Sequence, residues 1–121
     1  TDASQLRLQL AAGAAVVASR WPIVTIWQAH HAGGHLDSVR AAFDAAREET
    51  AFVWRDERFV ILVEALDASD AVFTTAVVGG RPLATALDAA GADFQFDRWL
   101  ARALRSRWLL ALLTRETGDT P

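Results

Sequence analysis

The sequence contains no cysteine, so neither a disulfide framework nor a thiolate metal site can form, which fits a reducing compartment. Lysine, methionine, tyrosine and asparagine are absent too, and all 12 basic residues are arginine. With the abundance of alanine, this is the compositional bias of a GC-rich bacterial genome and not a functional signal. No apolar run approaches the ~18 residues that a membrane span needs, and no basic–apolar–small signal opens the chain. A surplus of positive charge is missing as well. The net charge of -3 argues against a general nucleic-acid binder, which must neutralise phosphates.

What is present suits a folded domain. The chain has 121 residues, of which 52% are hydrophobic and 22% charged, enough for one core over residues 1–121. It opens at Thr1 without an initiator methionine, so it is expected to begin after processing or to be a fragment of something longer.

Gln5 to Arg20, rich in Ala and Leu and stopped by Pro22, predicts a helix. The β-branched and aromatic run Ile23 to Trp27 predicts a short strand, and Gln28 to Gly34 a loop. Leu36 to Glu49 has a helical spacing of Leu36, Val39 and Phe43. Two apolar runs, Ala51 to Trp54 and Phe59 to Val63, flank the charged stretch Arg55 to Arg58 and predict a hairpin. Three helices should follow. Asp67 is the expected N-cap of the first, which ends at Gly79-Gly80. Pro82 suits the first turn of the second, which stops at Gly91. Asp97 opens the third, which buries Trp99 and Trp108 and whose end toward Thr114 is unmarked. The expectation is a winged-helix-like α+β domain, with a small three-stranded antiparallel sheet, an N-terminal helix and three C-terminal helices.

Signals for catalysis are sparse. His30, His31 and His35 could bind a transition metal through imidazole nitrogens, but they share a glycine-containing segment with no recurring ligand spacing. A solvated loop is the plainer reading. No serine lies in a Gly-x-Ser-x-Gly elbow, and Gly79-Gly80-Arg81-Pro82 lacks the Lys-Ser/Thr of a phosphate loop. These readings predict no catalytic residue, no metal site and no cofactor.

One charged feature stands out. Arg98, Arg102 and Arg105 fall on one face of the last helix, with Arg81 and Arg107 as further candidates. The stripe reads as a solvated face, as a site for an acidic peptide or protein, or as a DNA-contacting helix. The acidic total favours DNA least. Among Trp21, Trp27, Trp54, Trp99 and Trp108 most should be core, and one or two could anchor an interface.

Three segments together carry a resemblance. Leu6-Arg7-Leu8 with Ser19-Arg20-Trp21-Pro22 through Trp27 is the first, and the Val53-Trp54-Arg55 hairpin through Asp67 is the second. The Gly80-Arg81-Pro82-Leu83-Ala84 turn and Phe94 to Leu100 complete it. Together these resemble the C-terminal domain of the bacterial partner proteins of multinuclear non-haem iron-dependent oxidases, the family of bufferin and methanobactin biosynthesis, in which some members are labelled DNA-binding. Larger members carry a helical N-terminal domain, and Gln28 to Glu49 matches none of the family's motifs. The resemblance implies a cytoplasmic, non-catalytic partner that holds the leader of a ribosomally made precursor peptide. The oxidase, which owns the iron, would modify the core of that peptide.

An exposed sheet edge can add an extended peptide main chain to main chain. The topology therefore nominates Phe59, Val60, Ile61, Leu62 and Val63 as the peptide edge, with Arg98, Arg102 and Arg105 meeting acidic leader residues. A winged-helix DNA-binding regulator is the alternative.

Overall fold

The computed structural model describes residues 5–31 and 36–114. It is α+β. The elements run β1 (Leu6–Leu10), β2 (Ala15–Ser19), α1 (Ile23–His31), α2 (Leu36–Asp44), β3 (Glu49–Arg55) and β4 (Ile61–Leu66), then α3 (Ala68–Val78), α4 (Leu83–Ala90), α5 (Phe96–Arg105) and β5 (Leu109–Thr114). β2, β3 and β4 form an antiparallel sheet in that order, and β1 pairs with β5 in a separate antiparallel ribbon.

The three-stranded sheet and the three C-terminal helices match the expectation, but its first strand does not. The expected N-terminal helix over 5–20 is two strands, and the expected strand over 23–27 is α1. In the first case Leu6, Leu8 and Leu10 alternate with Arg7 and Gln9, and Leu8 is buried. That period of two places one apolar face on the core, and pairing with β5 overrides the helical preference of the alanines. In the second case the Glu49 carboxylate caps the helix start, accepting from the Thr25 N–H at 3.0 Å and from Thr25 Oγ1 at 2.8 Å. The cap satisfies donors that a β-branched segment would otherwise pair across a sheet. The expected loop over 28–34 is helical to His31, and its remaining residues lie outside the described ones.

The main core lies on one face of the sheet. Phe52 and Trp54 from β3, Phe73 and Val77 from α3, Ala86 from α4, and Trp99 and Ala103 from α5 are buried together with Trp108 and Leu8. Phe52 and Trp108 lie 4.3 Å apart by ring centroid, and Trp99 sits edge-on to both Phe73 and Trp108. The Trp99 indole N–H donates to Thr74 Oγ1 at 2.9 Å, whereas the Trp108 N–H is buried without a protein partner. Successive strand residues point to opposite faces, so Ala51 lies on the other side, where α1 packs.

Helix ends explain the rest of the path. At α3 the Gly80 N–H donates to Val77 O and the Arg81 N–H to Ala76 O, with Gly80 left-handed at φ 79°. This is the Schellman stop that favours glycine. α2 and α5 close with the same bonds, but Ala46 (φ 52°) and Arg107 (φ 61°) hold the left-handed position. Leaving α5 this way, the chain buries Trp108 and starts β5, an unforeseen strand.

Among the described residues, no helix is long and apolar enough to cross a membrane.

Candidate functional site

The expected hairpin is present and slightly shifted. Asp56 N–H donates to Val60 O at 3.0 Å and Phe59 N–H to Asp56 O at 2.9 Å. The Asp56 carboxylate also accepts from the N–H groups of Arg58 and Val60, at 2.8 and 2.9 Å. Phe59 and Val60 thus belong to the turn, and only Ile61, Leu62 and Val63 of the nominated segment are strand.

Phe59 is left-handed, at φ 63°. A three-residue hairpin loop commonly places glycine there, because that conformation costs an L side chain roughly 1–2 kcal/mol. The ring is 73% exposed, so packing in the described structure does not repay the cost. The Arg55 guanidinium lies over the ring, 5.8 Å from its centroid.

The register fixes which backbone groups face outward. Because Asp56 N–H bonds Val60 O, Leu62 and Glu64 exchange hydrogen bonds with β3, while Ile61, Val63 and Ala65 point to the open edge. No strand among the described residues pairs on that side. The edge is not bare along its whole length, for Arg102 Nη2 donates to Ala65 O at 2.6 Å. Ile61 and Val63 remain as the stretch able to accept a new strand.

Arg102 is a clamp and not a free cation. Its guanidinium bonds Glu64 Oε2 at 2.9 Å, lies 3.8 Å from Asp70 and sits 5.9 Å above the Trp108 ring. It ties α5 to β4 and α3. Burial pushes the Asp70 carboxyl above the ordinary carboxylate value; Asp67 adds to this, while Arg102 and Arg98 oppose it. Arg98 makes a solvated contact of 3.6 Å with Asp67, worth at most ~1 kcal/mol. Arg105 is exposed. The three arginines share a helix face in sequence, yet only two of them face solvent.

Beside the edge lies a groove of about 870 Å³ between the hairpin and the turn from α5 to β5. Trp54, Leu62, Leu104, Leu109 and Leu110 give it an apolar lining, and Arg55, Arg58 and Arg107 stand with Asp56 and Glu57 at its rim. Arg107 and Glu57 pair across it at 3.7 Å. Leu62 was nominated from the sequence and Arg107 was a further candidate beside the arginine stripe, whereas Leu109 and Leu110 were missed because they belong to β5. Elsewhere, His31 stacks on Trp27 at 4.4 Å and touches His30 edge-on, while His35 lies outside the described residues. No cluster of three metal-ligating side chains occurs among the described residues.

In comparisons with known proteins, the chain matches no family model, no curated protein and no solved structure.

Proposed function

We propose that this chain is a non-catalytic partner domain that binds a precursor peptide as an added strand on β4. The observation that carries the reading is the open stretch at Ile61 and Val63 beside an apolar groove. Unpaired edge groups supply affinity without regard to sequence, and side-chain pockets supply choice. The three-stranded sheet with α3, α4 and α5 would be the winged-helix-like recognition unit.

The sequence resemblance supplies the setting: a cytoplasmic complex with a multinuclear non-haem iron-dependent oxidase, acting on the leader of a ribosomally synthesised, post-translationally modified peptide. The iron belongs to the oxidase, and this chain contributes no cofactor. The DNA-binding alternative draws on the arginine stripe, and Arg102, its middle member, is engaged within the fold.

Co-expression with a multinuclear non-haem iron-dependent oxidase and the precursor peptide it modifies tests the proposal. Val63→Pro is the informative variant, because its N–H faces the open edge and an edge proline there spares the ladder. The parent should co-purify with both partners, and folded Val63→Pro should lose the peptide. No complex with either partner would overturn the proposal; peptide capture unchanged in Val63→Pro would remove the β4 edge from it.

A further inference from the structure

β5 is an edge strand without the usual protection. It pairs with β1 on one side, and no strand among the described residues lies on the other. The Ala11 N–H donates to Trp108 O at 2.8 Å, so Arg7 and Gln9 exchange hydrogen bonds with β5. Leu112 and Thr114, opposite Leu8 and Leu6, therefore turn their N–H and C=O groups outward. The bulge at Leu110 confines the regular part of this edge to Ala111 through Thr114.

Sheet edges are ordinarily kept from pairing by charge, by proline or by a covering element. β4 carries Glu64 and has Arg102 on its Ala65 carbonyl, and β2 packs beside α3. Leu109–Thr114 holds neither a charge nor a proline, and Leu110, Leu112 and Leu113 are 60%, 57% and 46% exposed. Two strands are also fewer than a sheet ordinarily needs for stability.

Whatever completes this edge must be apolar, uncharged and matched to its short register. A second copy of β5 meets all three requirements. Antiparallel pairing about a two-fold axis at Leu113 sets Leu112 of each copy against Thr114 of the other, which satisfies the outward groups of both strands. Leu113 then meets itself as a non-hydrogen-bonded pair, the arrangement that brings side chains closest. Independently of the peptide-binding reading, we infer that the chain self-associates through β5, joining two ribbons into one four-stranded sheet in the order β1-β5-β5-β1. The strand contact is smaller than a standard interface of roughly 20–30 residues a side, so the dimer should form and dissociate reversibly.

Sedimentation of the whole chain from about 1 µM to about 1 mM tests this and should show a monomer–dimer equilibrium. Cross-linking locates the axis. The sequence has no cysteine, so Leu113→Cys introduces the only thiol. In the dimer its two Cα atoms would lie about 4.5 Å apart, within disulfide reach, whereas those of Leu110→Cys would lie about 20 Å apart. Mild oxidation should therefore give covalent dimer at least about tenfold faster from Leu113→Cys than from Leu110→Cys. Leu113→Glu opposes two carboxylates at the axis and should weaken association at least about tenfold. Leu112→Pro removes an outward donor and should abolish association with an unchanged far-ultraviolet circular dichroism spectrum. If Leu112→Pro fails to fold, Leu113→Glu decides alone. A chain that stays monomeric throughout, equal cross-linking at the two cysteines, or a dimer undisturbed by Leu113→Glu would overturn the inference.

Discussion

Arg107 shows how much a single dihedral decides. Its left-handed backbone ends α5, buries Trp108 and releases β5, without the glycine that normally announces such a stop. Arg107→Gly should therefore stabilise the fold by about 1 kcal/mol, visible as a higher melting temperature. At Gly80 and Gly91 the stop was legible because the residue type and the conformation agree. At Ala46 and Arg107 they disagree, and the sequence is silent. Arg102 holds α3, β4 and α5 together, so Arg102→Ala should cost about 2 kcal/mol in denaturant unfolding by stranding Glu64 and Asp70. Asp70 acts with the opposite sign. Its raised folded pKa means that, just above the ordinary carboxylate range, the native state holds more protons than the unfolded one. Stability from this group is gained as pH falls through that window and lost as pH rises. Asp70→Asn should thus gain stability relative to the parent at pH 7, an advantage that shrinks toward pH 4 in paired denaturation curves.

At the scale of elements, the hairpin and the three C-terminal helices were readable because turn residues, caps and apolar periods point one way. Asp67 caps α3 by accepting from the Asp70 N–H, as its position before an apolar run suggests. β1, β2 and α1 were not readable. Alanine between Leu10 and Val16 mimics a helix, and Ile23 to Trp27 has the composition of a strand. The deciding partners, β5 for one and Glu49 for the other, lie far away in sequence. Glu49→Ala should cost about 1 kcal/mol and fray α1, which helical circular dichroism with thermal melting would register. The hairpin also separates two prolines that sequence alone would treat alike. Val60 N–H is held by Asp56, so Val60→Pro breaks the turn, whereas Val63→Pro removes only an outward donor.

For the whole molecule, Trp99, Trp108, Phe52, Phe73 and Thr74 form the buried centre around which the sheet and helices are arranged. Thr74→Val keeps the volume and strands the Trp99 indole N–H, so it should cost about 1–3 kcal/mol in chemical denaturation. The candidate site needs this assembly, because its groove joins residues from β3, β4, α5 and β5. Only the hairpin wall could be nominated from local sequence; the leucine wall exists once β5 returns to pair with β1. On the proposed function, a peptide adds to β4 at Ile61 and Val63. Amide hydrogen exchange of the chain, alone and with saturating precursor peptide, tests it most directly. The N–H groups of Ile61 and Val63 should exchange quickly alone and at least about tenfold more slowly in the complex. A bound peptide that left both amides unprotected while slowing exchange elsewhere would contradict it.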